Sequence, residues 1–125
     1  PRLGALPGVE ALTAESGEAG ILLGWKTSGP RAAIDHFLIV RSETPAEQAC
    51  PGCPHDYRPL AMARPGDGTL RRTAEGAFDF LDGAVELGRF YSYRVQACDA
   101  RGRCGLPSAP VNRVRGAAGG CDCRS

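Results

Sequence analysis

An all-β domain folded as a sandwich is what this sequence predicts, and three observations predict it. Glycine and proline, 17 and 10 of them in 125 residues, recur at short intervals, and such punctuation cuts a chain into short strands. Between the breaks apolar residues alternate with period two, as a strand with one buried side requires. No segment carries a helical apolar stripe longer than two turns.

In chain order, Val9 to Glu15 reads as a first strand. In GILLGWK, Ile21, Leu23 and Trp25 share one face while Gly24 and Lys26 share the other, which makes the second. Asp35 to Arg41 is the third, Tyr57 to Ala63 the fourth and Phe78 to Leu81 the fifth. FYSYRVQA, Phe90 to Ala97, alternates most cleanly: Tyr91, Tyr93, Val95 and Ala97 against Ser92, Arg94 and Gln96. Ser108 to Arg115 closes the set of seven and carries Pro110, which suits a sheet edge. Thr44 to Ala49 has the composition of a single helical turn, with Thr44 as cap and Pro45 in first position. The domain then spans residues 6–115 behind a short tail, 1–5, with an insert at 43–56 and a glycine-rich cysteine tail at 116–125.

The bulk numbers exclude several functions. The formal charge is +1 with acids and bases interspersed, so there is no electrostatic footprint for nucleic acid or an anionic membrane. No apolar run approaches the ~18 residues of a spanning helix. The sequence starts at Pro1 without a charged-then-apolar leader, which leaves room for an export signal or lipid anchor upstream. Among 15 basic residues only Lys26 is lysine, a bias that points to a GC-rich, bacterial coding genome. Six cysteines beside two histidines favour disulfides in an oxidising compartment.

The order of signals from Leu6 to Arg115 resembles a fibronectin type III domain, one branch of the immunoglobulin-like sandwiches. The residues that carry the likeness are LPGVEALTAE, the strand-closing Trp25, DHFLIVRS at Asp35 to Ser42, and VELGRFYSYRVQACDARGRCGLPS. In the last stretch Val85, Gly88 and Tyr91 stand where that family has its leucine, glycine and corner tyrosine, so the resemblance implies that the Tyr91 hydroxyl bonds back to the turn before it. The chain is also similar to a domain of small envelope lipoproteins in which a Cys-x-x-Cys-Pro segment follows the third strand. The insert and the tail depart from the general family pattern.

The cysteines then sort by position. Cys98 and Cys104 flank DARGR between the last two strands, and a disulfide between them closes a short hairpin. In such a sandwich the third and last strands end at one pole, which places Cys50 and Cys53 of CPGCPH near Cys121 and Cys123 of the tail. Two local bonds, two cross-links or a four-sulfur zinc site are the outcomes open to these four. The loop-entropy model assigns about 2 kcal/mol to a Cys50–Cys53 bond and about 4 kcal/mol to one spanning insert and tail. Cys50–Cys53 is the favoured pair, because a Cys-x-Cys ring at Cys121 and Cys123 is tight. Zinc is the alternative, since Cys-Pro-Gly-Cys resembles half a knuckle, although the second half lacks that spacing. A redox role wants a helix start and a βαβ context, which are missing. Haem attachment fails because Pro54 separates Cys53 from His55.

Little else converges on catalysis. Asp35 and His36 point to opposite faces if the strand begins at Asp35. Asp79 and Asp82 read as solvated carboxylates or turn caps, and with Asp67 they make no recognised calcium loop. Leu38 and Val40 occupy the second face of an entirely apolar run, so the insert or a partner should cover them. His55 is a further interaction candidate. The expected function is a non-enzymatic, extracytoplasmic binding or assembly module of the cell envelope, holding no cofactor and meeting a protein partner or copies of itself. The alternatives are a metal or redox module built on Cys50, Cys53, Cys121 and Cys123, and an accessory domain recognising carbohydrate, which would want a row of surface aromatics.

Overall fold

The computed structural model describes residues 8–27, 34–45, 56–66, 68, 70–74 and 76–114. Eight strands run through them: β1 Val9–Gly17, β2 Gly20–Thr27, β3 His36–Pro45, β4 Arg58–Ala63, β5 Leu70–Ala74, β6 Ala77–Asp82, β7 Arg89–Cys98 and β8 Val111–Val114. No helix occurs among the described residues. The strands pair antiparallel into two four-stranded sheets, ordered β1-β2-β6-β5 and β4-β3-β7-β8. The chain thus lays down four successive hairpins, alternately in one sheet and the other.

Three elements differ from the sequence expectation. The eighth strand is β5, where Leu70 alone is buried and Arg71 to Ala74 are exposed, so no alternation announced it. Thr44 and Pro45 finish β3 opposite Phe90 and Arg89 instead of starting a helical turn, because the ten residues of β7 offer a ladder that long. The last strand begins at Val111, which leaves Pro110 outside the ladder that its missing N–H would have interrupted.

The inward faces meet in one core. Ile21, Leu23, Trp25, Phe78 and Phe80 come from the first sheet; Phe37, Ile39, Tyr91, Tyr93, Val95 and Ala97 come from the second. Phe37 sits across the sheets from Trp25 and Phe78, with ring centroids 5.3 Å and 4.9 Å away. The Trp25 Nε1–H is buried without an acceptor, a cost that the surrounding ring burial offsets.

Alternation also turns two charges inward. Arg41 follows Phe37 and Ile39 on β3, and Asp82 follows Phe78 and Phe80 on β6. Asp82 is only 3% exposed. Its Oδ2 accepts from Arg41 Nη1 at 2.9 Å and from the Tyr93 hydroxyl at 2.7 Å, while Oδ1 accepts from the Ala84 N–H at 3.1 Å. Arg41 also donates to the Ala84 carbonyl at 2.9 Å and lies 5.2 Å from the centre of the Tyr91 ring. One carboxylate therefore ties the end of β6 to β3 and β7 of the other sheet. Gly20 fits against this corner, because a Cβ there would stand 2.3 Å from the Asp82 carbonyl oxygen.

The edges are guarded. β1 carries a bulge between Glu10 and Thr13, with Ala11 in the left-handed region at φ 58°. Arg113 on β8 donates to the Ala14 carbonyl at 2.9 Å and joins the two sheets along that side.

Two outcomes follow from these features. Ala11→Gly should raise stability by about 0.5 kcal/mol, since a Cβ is disfavoured at positive φ; a lower urea midpoint would contradict the bulge geometry. The Tyr93 hydroxyl is pushed far above the ordinary phenol range, by burial first and then by Asp82. Below about pH 10 both folded and unfolded chains hold its proton and its contribution is complete; above that the unfolded chain releases the proton and stability falls as pH rises. Tyr93→Phe should flatten that decline by up to about 1.4 kcal/mol per pH unit. Parallel alkaline stability curves for the two proteins would sink the assignment.

Candidate functional site

The strands of the second sheet define two poles about 30 Å apart, the length of a ten-residue strand. At one, Pro45 of β3 faces Arg89 of β7 and Val114 of β8 faces Phe90, so β3 and β8 end together. Cys50, Cys53, His55, Cys121 and Cys123 follow those two ends in the sequence and lie outside the described residues. At the other pole His36 pairs with Cys98.

Cys98 and Cys104 form a disulfide across the β7–β8 connection. Inside the ring, Asp99 organises the backbone. Its Oδ1 accepts from the N–H groups of Arg101 and Arg103, both at 2.9 Å, and its Oδ2 accepts from Arg103 Nε at 2.9 Å. Those bonds, the Arg103 N–H first among them, hold the Asp99 carboxyl below the ordinary carboxylate range. The Asp99 N–H donates to the Arg103 carbonyl at 2.8 Å and the Gly102 N–H to the Asp99 carbonyl at 3.0 Å. Gly102 takes a φ of 87°, which glycine adopts without strain. Beyond the ring, Gly105 N–H donates to the Ala97 carbonyl and Ser108 N–H to the Val95 carbonyl, while Gln96 and Arg94 side chains bond the Gly105 and Ser108 carbonyls.

The outer face of the second sheet changes along its length. Leu38, flanked by Met62 and Gln96, and Val40, flanked by Pro59 and Arg94, are half-buried. Nearer the Arg89 end, Ser42, Ser92 and Phe90 are buried although they point away from the core between the sheets. Tyr57 reaches this row: its hydroxyl lies 2.6 Å from Ser92 Oγ, and Arg94 stands 5.9 Å from its ring centre. Beside it opens a polar groove of about 640 Å³ lined by Arg41, Glu43, Asp56, Arg58 and Arg89 among others. Arg89 Nε lies 2.8 Å from Glu43 Oε2 as an ion pair, in an orientation that does not make a hydrogen bond.

Asp35 and Asp79 are engaged by near neighbours in the sequence. His36 Nδ1 is 2.8 Å from Asp35 Oδ2, with Arg64 Nε at 3.4 Å. β3 begins at His36, so Asp35 precedes the strand and the condition for opposite faces is not met. The His36 contact is the main cause that lowers the Asp35 carboxyl from its ordinary range. Asp79 and Asp82 are both buried, which corrects their reading as solvated groups: Asp79 forms a two-point ion pair with Arg71 at 2.7 Å and 3.1 Å. Asp82 does cap Ala84, but its larger role with Arg41 went unread. The signal was present in the inward parity of Arg41 and Asp82. The Tyr91 hydroxyl accepts from the Glu86 N–H at 2.7 Å. Among the described residues no group of three or more His, Cys, Asp or Glu is placed to hold a metal ion.

Comparison with known proteins adds the fold alone. No family model matches the chain, and neither does any curated protein sequence. Among solved structures, a β-1,2-glucanase from Parabacteroides distasonis is similar over 91% of this chain and 14% of its own length, at 24% identity and a TM-score of 0.47. Astrotactin-2, described as a conserved vertebrate-specific, perforin-like membrane protein, is similar over 90% of this chain and 22% of its own, at 16% identity and a TM-score of 0.55. The chain thus spans less than a quarter of either protein's length; its own architecture is a β-sandwich of two four-stranded antiparallel sheets.

Asp99 should control the order of the hairpin independently of the disulfide. Asp99→Ala should speed amide exchange at Arg101 and Arg103 at least tenfold while leaving core amides of β7 unchanged. Unaltered exchange at both positions would show that the covalent ring alone sets the loop.

Proposed function

We propose that this chain is an immunoglobulin-like sandwich of the fibronectin type III kind, working outside the cytoplasm as a non-enzymatic binding or assembly module of the bacterial envelope or surface. The finer fold reading is supported by the strand order, in which β1-β2-β6-β5 follows the A-B-E-D pattern and β4-β3-β7-β8 the C′-C-F-G pattern. The bond from Glu86 N–H to the Tyr91 hydroxyl also has the form of a tyrosine corner. The Cys-x-x-Cys-Pro insert after the third strand adds the likeness to small envelope lipoproteins.

The observation that carries the functional reading is the Cys98–Cys104 disulfide. Such a bond persists in an oxidising compartment, and a loop closed by it meets a partner with little ordering cost. The mechanism is presentation of shape: the sandwich holds a pinned hairpin at one pole and the roots of the insert and tail at the other. A protein partner or a second copy of the chain would read those ends.

Intact mass with and without reductant, with metal analysis alongside, tests the reading on protein recovered from its own compartment. The expected result is a deficit of two hydrogens for each bond, restored by reductant, and no zinc. Free thiols with stoichiometric zinc would replace it with a metal module using Cys50, Cys53, Cys121 and Cys123.

A further inference from the structure

The Cys98–Cys104 disulfide has a histidine beside it. Phe37 and Ala97 face each other across β3 and β7 and point into the core, so the next pair along, His36 and Cys98, shares the outer face. Directly opposed residues of this kind have Cβ atoms about 4.5–5.5 Å apart, which sets the imidazole alongside the Cys98 sulfur. His36 Nδ1 is 2.8 Å from Asp35 Oδ2, and the Asp35 N–H donates to the Cys98 carbonyl at 2.8 Å. Cys98 is fully buried, whereas Cys104, opposite it on the other side, is exposed. Backbone bonds flank the disulfide on both sides: Asp99 N–H to the Arg103 carbonyl at 2.8 Å, and Gly105 N–H to the Ala97 carbonyl at 2.9 Å. They keep the two cysteines opposed when the sulfurs part.

Beyond the binding reading and without need of it, we propose that Cys104, Cys98, His36 and Asp35 form a site for reversible thiol–disulfide exchange with a small thiol. The thiolate attacks the exposed Cys104 sulfur and forms a mixed disulfide there, while the Cys98–Cys104 bond breaks and its electron pair leaves on Cys98. The His36 imidazolium protonates that leaving thiolate. A second thiolate then attacks the small-molecule sulfur of the mixed disulfide and releases Cys104. Two thiols are thus oxidised to one disulfide, the protein bond is reduced by two electrons, and the two thiol protons end on Cys98 and Cys104. In the reverse direction His36 takes the Cys98 proton, and the buried thiolate displaces the small thiol from Cys104. A leaving thiol of lower pKa leaves faster, and a histidine partner lowers it. The charged groups facing His36 are Asp35 and, behind it, Arg64, whose Nε is 3.4 Å from Asp35 Oδ2. The lowered Asp35 carboxyl stays ionised while the imidazole takes up its proton. Between the two cysteines lie two arginines and one aspartate, a balance that attracts an anionic thiolate.

The test treats the folded full chain with reduced glutathione, quenches with an alkylating reagent, and reads Cys98 and Cys104 by peptide mass. Glutathione is expected on Cys104 and not on Cys98. The rate, corrected for the fraction of glutathione present as thiolate, should rise as the imidazole gains its proton. His36→Gln should cut that rate roughly tenfold or more at the acid end and flatten the profile. Asp35→Asn, which leaves the imidazole in place, should shift the profile and slow the reaction in the same direction, and it carries the test if His36→Gln does not fold. Glutathione on Cys98, a bond that opens only at the rate of global unfolding, or a pH profile indifferent to both substitutions would overturn the exchange site. Each of those results leaves the binding reading standing.

Discussion

The arrangement depends on one buried carboxylate. Asp82 closes the inward row of β6, and the Arg41 guanidinium and the Tyr93 hydroxyl converge on its Oδ2 from the opposite sheet. Taking a charge out of water costs several kcal/mol, and only close pairing and full hydrogen bonding offset that cost. Here Asp82 bonds Ala84 N–H with its second oxygen, and Arg41 reaches the Ala84 carbonyl and the Tyr91 face. The alternating apolar faces already resist a one-residue slip of β6 or β3, which would turn Phe78 and Phe80 or Phe37 and Ile39 to solvent; this cluster adds to that, since the same slip would part Asp82 from Arg41.

That constraint bears on function through what it removes. The Arg41–Asp82 pair is spent inside the fold; Asp35 with His36, Asp79 with Arg71 and Asp99 with Arg103 are local pairs, and Arg89 with Glu43 joins β7 to β3. What the sandwich presents is therefore geometry at its two ends. One end carries the disulfide ring; at the other, β3 and β8 finish side by side.

Much of the core was legible because burial writes itself as alternation. Ile21, Leu23 and Trp25, and Tyr91, Tyr93, Val95 and Ala97, show it in sequence and line the core in space. The same parity pointed Arg41 and Asp82 inward, but their pairing depends on which strands face each other across the sandwich. β5 was missed because Leu70 is its one buried residue, and with it went Arg71, the partner that explains Asp79. Cys98 and Cys104 could be read because their bond is local. Leu38 and Val40 were placed on the outer face, whereas Tyr57 over Ser92 is a contact 35 residues long in sequence and left no periodic trace.

A double-mutant cycle across Arg41 and Asp82 tests this account most directly. Arg41→Met and Asp82→Leu should each destabilise by about 3–5 kcal/mol, because either leaves a buried charge without its partner. The double variant should recover roughly 2 kcal/mol or more of their summed cost, and not all of it, since Tyr93 and Ala84 still lose their acceptor. Single effects below about 1 kcal/mol that simply add would contradict the claim that this pair fixes how the two sheets meet.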